Sequence, residues 1–161
     1  MKKCLIALFA IALAGCSSLT SAEKAERKAK TAQAVEKALA ERHYKVEISM
    51  MNPRRGTAVN VSPDFSLEVK GDTLVSYLPY FGRAYYVPYG GGKGLNFTAP
   101  IKTYEDKGFS KGKRTISLQV NNGGEVIDYC LDVSDEGYAN IDVNPRKRDG
   151  ISFSGQMADK E

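Results

Sequence analysis

From Tyr44 onward, apolar and polar residues alternate with a period of two, in short runs separated by glycine-containing turns. The runs are Val46, Ile48, Met50; Phe65, Leu67, Val69; Ile116, Leu118, Val120; Ile127, Tyr129, Leu131, Val133; Ala139, Ile141, Val143; and Ile151, Phe153. Successive side chains on a strand point to opposite faces, so this pattern gives strands with one buried and one wet face, as in antiparallel sheets. The turns then set the register. "DEG", residues 135–137, reads as a three-residue hairpin loop with Gly137 at the position that wants a left-handed backbone. Pairing Ser134 with Tyr138 puts Val133 opposite Ala139 and Leu131 opposite Ile141. Carrying the chain round "NPRKRDG" puts Val143 opposite Ile151 and Ile141 opposite Phe153, all on one face. "KGDT" after Val69 and "NNGG" after Val120 are two further hairpin turns. The expected fold class is all-β: roughly eight strands in a small antiparallel barrel or sandwich, a calycin or lipocalin-like meander. One domain spans 44–156, with a short tail at 157–161.

The residues before Tyr44 divide in two. Lys2 and Lys3 precede an apolar run, Leu5 to Ala14, that is too short for a permanent membrane span. It ends in "LAGC", which resembles the lipobox of bacterial lipoproteins, in which the peptide is cut before the cysteine and the thiol is acylated. Residues 1–15 are then a signal peptide and Cys16 is the lipid attachment site. Each buried methylene contributes about 0.8 kcal/mol, so two or three acyl chains hold a protein to a bilayer where one does not. Ser17, rather than an aspartate, follows the cysteine and points to the outer membrane. Residues 16–43 are a tether and helical spacer. Ser21 to Arg42 contains no Gly or Pro and is rich in helix-forming Ala, Lys, Glu and Arg. Of its thin apolar face, Ala25, Ala29, Ala32, Val35 and Leu39, only the last two are large, so docking is expected from the C-terminal turns alone.

The chain carries 23 Lys and Arg against 19 Asp and Glu, but Lys2 and Lys3 belong to the signal, which leaves only about +2 after processing. That excess is too small for a nucleic-acid-binding surface. Of the three cysteines, Cys4 is removed with the signal and Cys16 is acylated. Cys130 alone cannot make a disulfide, so the core itself must hold the domain. Cys130 is also out of phase with the buried residues of its strand and reads as structural.

The chain holds nine Tyr, six Phe and no Trp, and seven of these aromatics fall between residues 77 and 97. Pro79 and Pro88 break any regular strand there. Rings on irregular backbone either fold back to plug the barrel or face outward as an apolar platform for sugar, peptide or lipid. Tyr80, Phe81, Arg83, Tyr85, Tyr86 and Tyr89 are the candidate ligand-binding residues, with Arg83 supplying planar donors. "GGGKG" at 90–94 does not make a phosphate loop, because Val87 stands where the first glycine belongs and Gly94 where Ser or Thr belongs.

Chemistry-bearing constellations are sparse. His43 is the single histidine and reads as a structural residue at the helix end. No "GxSxG" elbow presents a serine, and His43 with Cys130 cannot make up a zinc ligand set. No cofactor is therefore expected. Asp128 and Asp132, four apart on one strand, are separated by about 13 Å at about 3.3 Å per residue. Glycosidase pairs need roughly 5–9.5 Å. Arg146, Lys147 and Arg148 read as a solvated hairpin tip, or as a contact with anionic head groups or polysaccharide.

"LPYFGRAY" after "GDTLVSY" and before "PYGGGKGLNF", with the terminal "ISFSG", resembles the Bacteroidetes lipoproteins grouped as domain-of-unknown-function family 4251. The resemblance covers Lys45 to Gly155 and the lipobox. It implies a secreted or lipid-anchored β-rich domain of calycin-like type and carries over no catalytic residues. The expectation is a non-enzymatic cell-envelope lipoprotein, attached to the membrane through Cys16, whose 77–97 region binds a glycan, peptide or lipid. A structural envelope component acting through protein contacts is the alternative, and a hydrolase is the third reading. An open apolar cavity inside the barrel favours the first, a filled core with an exposed flat patch the second, and a cleft with two carboxylates at catalytic separation the third.

Overall fold

Short turns keep sequence neighbours adjacent in space, and the chain winds up and down accordingly. The computed structural model describes residues 21–83 and 94–158. Cys16, the signal at 1–15, Tyr85, Tyr86, Tyr89 and most of the glycine run lie outside the described residues. Helix α1 (Ser21–Ala40) is followed by β1 (His43–Pro53), β2 (Val59–Asn60), β3 (Ser66–Lys70), β4 (Thr73–Leu78), β5 (Leu95–Ser110), β6 (Lys113–Asn122), β7 (Glu125–Ser134), β8 (Tyr138–Pro145) and β9 (Ile151–Met157). From β3 to β9 each strand pairs antiparallel with the next, and β1 pairs with both β3 and β9. Eight strands thus close into an antiparallel barrel. The two-residue β2 adds to β1 at Met50 and Met51, beyond the reach of β3.

The register follows the turns. Val133 pairs with Ala139 and Leu131 with Ile141, while Ile141 pairs with Phe153 and Val143 with Ile151, as the "DEG" loop requires. Gly137 has φ +84° and its amide donates to the carbonyl of Ser134 at 3.0 Å. In "NNGG", Asn122 pairs with Glu125 across Gly123 and Gly124, both at positive φ, the backbone of a tight hairpin.

Closure imposes its own geometry. The ladder between β1 and β9 shifts between Ile48 and Met50, a bulge centred on Ser49. Beyond it the alternation changes phase: Met50, expected inward, is exposed, and Met51 is buried instead. An inserted residue turns every later side chain to the other face. Opposite Ile48 sits Gly155, where a Cβ would collide with the backbone carbonyl of Glu47. Only glycine allows β1 and β9 to approach this closely.

Val46, Ile48, Leu67, Val69, Leu74, Leu78, Ile116, Leu131, Ile141 and Phe153 point inward and are essentially inaccessible to water. The barrel is therefore filled with side chains at these levels. Tyr129 is also buried, and its hydroxyl lies 3.4 Å from Ser76 Oγ, which in turn donates to the carbonyl of Leu95 at 2.6 Å. Burial pushes the Tyr129 phenol upward, only partly offset by the hydrogen bond to Ser76, so it stays neutral.

The up-and-down winding sorts the connections to two ends. The start of β1 and the β3–β4, β5–β6 and β7–β8 turns lie at one end, which α1 covers. Val35, Ala38 and Leu39 are buried against the barrel, while the earlier alanines, Ala25 and Ala29, are exposed. Lys28 reaches Glu136 of the β7–β8 turn at 3.0 Å. Tyr44, Tyr104 and Arg42 complete this helix end, with the two phenol oxygens 3.4 Å apart and the Arg42 guanidinium 4.3 Å above the Tyr104 ring. Burial drives the Tyr44 phenol well above its ordinary range. The exits of β1 and β4, the β6–β7 turn and the β8–β9 loop lie at the opposite, loop end.

Candidate ligand cleft at the loop end

After Leu78, Pro79 ends the β4 ladder and the chain turns over the barrel mouth. Tyr80 is the post on which it turns. Its ring packs partly buried against the core, and its hydroxyl lies 3.0 Å from the carbonyl of Asp149 and 3.3 Å from that of Arg83. Gly82 passes directly over it, since a Cβ there would come within 2.6 Å of the Tyr80 hydroxyl. The β8–β9 loop fixes both borders of residues 84–93. The Asp149 amide donates to Arg83 O at 3.0 Å, and Arg148 Nη1 donates to Gly94 O at 2.9 Å. Arg148 also stands 4.9 Å above the Tyr80 ring and forks onto Glu125 at 2.6 and 3.3 Å. Both side chains of that pair are 13% exposed. An ion pair this sheltered adds little net stability for its desolvation cost, but separating it is expensive, so it holds one arrangement. Arg148 is thus a clamp, not part of the solvated tip expected of "RKR". Arg146 and Lys147 are the exposed members, with Arg146 3.6 Å from Asp128.

This scaffold frames a cleft of about 400 Å³ lined by Arg54 and Arg55 from the exit of β1, by Tyr80, Phe81, Gly82 and Arg83, and by Asp149. Phe81 is 64% exposed. Arg54, Arg55 and Arg83 are exposed, and among the described residues none of them forms a salt bridge. Three guanidinium groups beside an exposed ring suit a ligand that carries an anionic group next to an apolar face, because the planar fork matches carboxylate, sulfate or phosphate oxygens.

Of the six candidate residues, the cleft brings together Tyr80, Phe81 and Arg83; Tyr85, Tyr86 and Tyr89 lie outside the described residues. Tyr77 faces outward and stacks on Phe65 with centroids 5.2 Å apart, and Phe97 is partly buried against the core. Sequence reasoning misses Arg54, Arg55 and Asp149. The "PRRG" that ends β1 holds the arginine pair beside a turn glycine at φ +126°, and that is the one local signal that marks it.

The remaining chemistry-bearing residues are dispersed. Asp128 accepts from Gln119 at 2.6 Å and Asp132 from Thr115 at 2.7 Å, each satisfied by its cross-strand partner in the β6–β7 ladder. Cys130 lies between them on the outer face, half-buried. His43 is exposed, with Nδ1 3.3 Å from the carbonyl of Glu41. Among the described residues no three His, Cys, Asp or Glu side chains converge on one point. No helix among them is long and apolar enough to cross a membrane.

A closed eight-stranded antiparallel barrel with one helix across its end defines the structural class. Residues 26–157 match the family described as domain of unknown function (DUF4251), and the chain belongs to that family. Among solved structures, a DUF4251 family protein from Bacteroides eggerthii DSM 20697 aligns with a TM-score of 0.62 at 16% identity, over 82% of this chain and 89% of that one. At that identity the likeness shows the fold. No curated protein matches this chain.

Proposed function

We propose that this protein is a non-enzymatic, lipid-anchored binding protein of the cell envelope, with the arginine-lined cleft at the loop end as its ligand site. The observation that carries this reading is the cluster of Arg54, Arg55, Arg83 and exposed Phe81 around a post that is itself fully engaged. The filled interior turns the reading away from a ligand held inside the barrel and toward one held at its rim. An anionic glycan, an acidic peptide or a lipid phosphate has the required chemistry. The anchor rests on "LAGC". Because α1 covers the end of the barrel opposite the cleft, a tether leading into that helix leaves the cleft facing away from the membrane.

The site is tested by screening the mature protein against acidic glycans, peptidoglycan fragments and phospholipids, beside an Arg54→Glu, Arg83→Glu variant. Binding that the variant loses without change in thermal midpoint supports the cleft; binding that the variant retains removes it. The anchor is tested by fractionating cells that carry Cys16→Ser, which should leave the membrane pellet after a carbonate wash. The filled core also favours a second reading, a structural component acting through protein contacts. In that case no small ligand binds, and cross-linking in cells traps a protein neighbour at Arg83 or Phe81.

A further inference from the structure

The helix end carries a feature that the cleft does not explain. β4 begins at Thr73, opposite Pro100, and from Ile101 onward the strand β5 pairs only with β6. The hairpin formed by these strands ends in the sequence Lys107 to Lys113, "KGFSKGK", with three lysines and no acid. Phe109 near its tip is 61% exposed. Among the described residues Lys107 and Lys111 form no salt bridge, and Lys113 lies 3.9 Å from a half-buried Asp132. Lysines on an unpaired strand edge guard against sheet extension. An exposed phenylalanine among them works against that purpose.

The tip is held out on a stiff neck. The Asp106 carboxylate accepts from Arg114 Nε at 3.0 and 3.1 Å and from the amide of Gly108 at 2.9 Å. The same arginine comes within 4.0 Å of Glu36 on α1, tying the hairpin to the helix. The ladder shifts between Asp106 and Phe109, with Gly108 at φ +73°. Lys111 itself sits at φ +53° in the two-residue turn, a position that favours Gly or Asn. Tyr138, also 61% exposed, lies at this end as well.

We propose that the β5–β6 hairpin is a membrane-surface contact: Phe109 enters the headgroup boundary of an anionic phospholipid bilayer while Lys107, Lys111 and Lys113 sit among the phosphates. An aromatic wedge ringed by lysines is the chemistry of interfacial binding, with apolar burial and headgroup attraction acting together. The orientation rests on the proposed anchor, because Cys16 shortly precedes α1 in the chain and α1 lies across this end. Attached there, the protein brings the hairpin, and not the cleft, to the bilayer.

The chain contains no tryptophan, so Phe109→Trp gives a single tryptophan at the hairpin tip and Phe81→Trp gives one at the loop end, each excited selectively over the tyrosines. Each mature protein, purified from membranes, is reconstituted with vesicles of phosphatidylcholine alone or mixed with phosphatidylglycerol. Co-sedimentation with the neutral vesicles reads the anchor, and quenching by brominated acyl chains reads the contact. Emission from the hairpin-tip variant should shift to the blue and be quenched in the anionic vesicles, and emission from the loop-end variant should do neither. Adding Lys107→Gln and Lys111→Gln to the Phe109→Trp protein should remove most of the quenching, consistent with a roughly 5-fold contribution per lysine near an anionic surface. A protein that co-sediments while its hairpin-tip emitter stays unshifted and unquenched overturns the hairpin contact and leaves the anchor standing. Quenching of the loop-end emitter in its place also overturns it. Failure to sediment with neutral vesicles, with the hairpin-tip emitter quenched on anionic ones, overturns the anchor and sustains the hairpin. No sedimentation with either overturns both.

Discussion

The two ends of the barrel present phenylalanines of nearly equal exposure, Phe81 at 64% and Phe109 at 61%, in different company. Phe81 stands beside arginines on a chain pinned from below by Tyr80, Arg148 and Asp149. Phe109 stands among lysines on a hairpin that projects from its strand neighbours on one side. Guanidinium groups are planar and directional, whereas ammonium groups on long stems adapt to any anion. The first arrangement suits a ligand of defined shape and the second suits a surface. A basic, aromatic patch is therefore not one kind of site, and the difference lies in which cation stands beside the ring.

The contrast makes sense only if both ends are built on one closed barrel, and the largest effect should come from opening it. Gly155→Val places two methyl groups and a Cβ against the carbonyl of Glu47. A loss above about 4 kcal/mol, or no folded protein at all, is expected. A denaturant midpoint close to that of the unmodified protein would mean that β1 and β9 can separate without cost, and that the ends are independent.

Next come the two ends themselves. Leu39 is 1% exposed under the helix, so Leu39→Ala should cost about 3 kcal/mol. Tyr80 is only partly buried, so Tyr80→Ala should cost less, about 2 kcal/mol, despite its larger side chain. Urea titration of both variants measures the difference. A Tyr80→Ala loss below about 0.5 kcal/mol, the range of ordinary surface changes, would deny it the role of a post.

Gly137→Val should cost somewhat more than about 1 kcal/mol, since a β-branched residue is poorly tolerated at φ +84°. The added Cβ itself meets Val35 only at ordinary contact distance, so the strained backbone sets the lower bound of the cost. Chemical denaturation checks it, and an unchanged midpoint would contradict the turn.

The smallest effect concerns the hairpin neck. Hydrogen bonding from Arg114 holds the Asp106 carboxyl below its ordinary range. A carboxylate with a depressed folded-state pKa contributes stability that is present above the unfolded value, about 4, and is lost as pH falls through the folded value. The small stability advantage over Asp106→Asn should therefore be constant at neutral pH and vanish in acid. Thermal melts of the two proteins between neutral pH and strong acid check it, and parallel curves throughout would mean that the neck is not held by charge.

The sequence alone carries much of this barrel because its signals are local. Three residues between Ser134 and Tyr138, with glycine third, are enough to place Leu131 against Ile141 and then Ile141 against Phe153. Met50 shows the limit. The bulge at Ser49 is imposed by β9, a strand far along the chain, and no alternation within 46–51 announces it. Arg148 fails for the same reason: it reads as one of three loop charges until Glu125, on another hairpin, is brought beside it. The cleft is half visible in the sequence, as Tyr80, Phe81 and Arg83 in an aromatic-rich stretch. Arg54 and Arg55 join it only through the closure of β1 onto β9. Whether the strands close as a barrel or stack as a sandwich is likewise a property of that one long-range pairing.

That pairing also governs time. Every other ladder of the ring can form as its hairpin is made, but Val46 must wait for Met157 and Pro53 for Ile151. Bringing such distant segments together costs chain entropy before any contact repays it, and barrels dominated by non-local pairings fold in milliseconds to seconds where helical bundles take microseconds. A chain emerging N-terminus first would hold seven strands as an open, curling sheet, its apolar face unsealed and β1 presenting a bare edge, until residues 151–157 arrive. The last strand to be delivered is the one that ends this vulnerability.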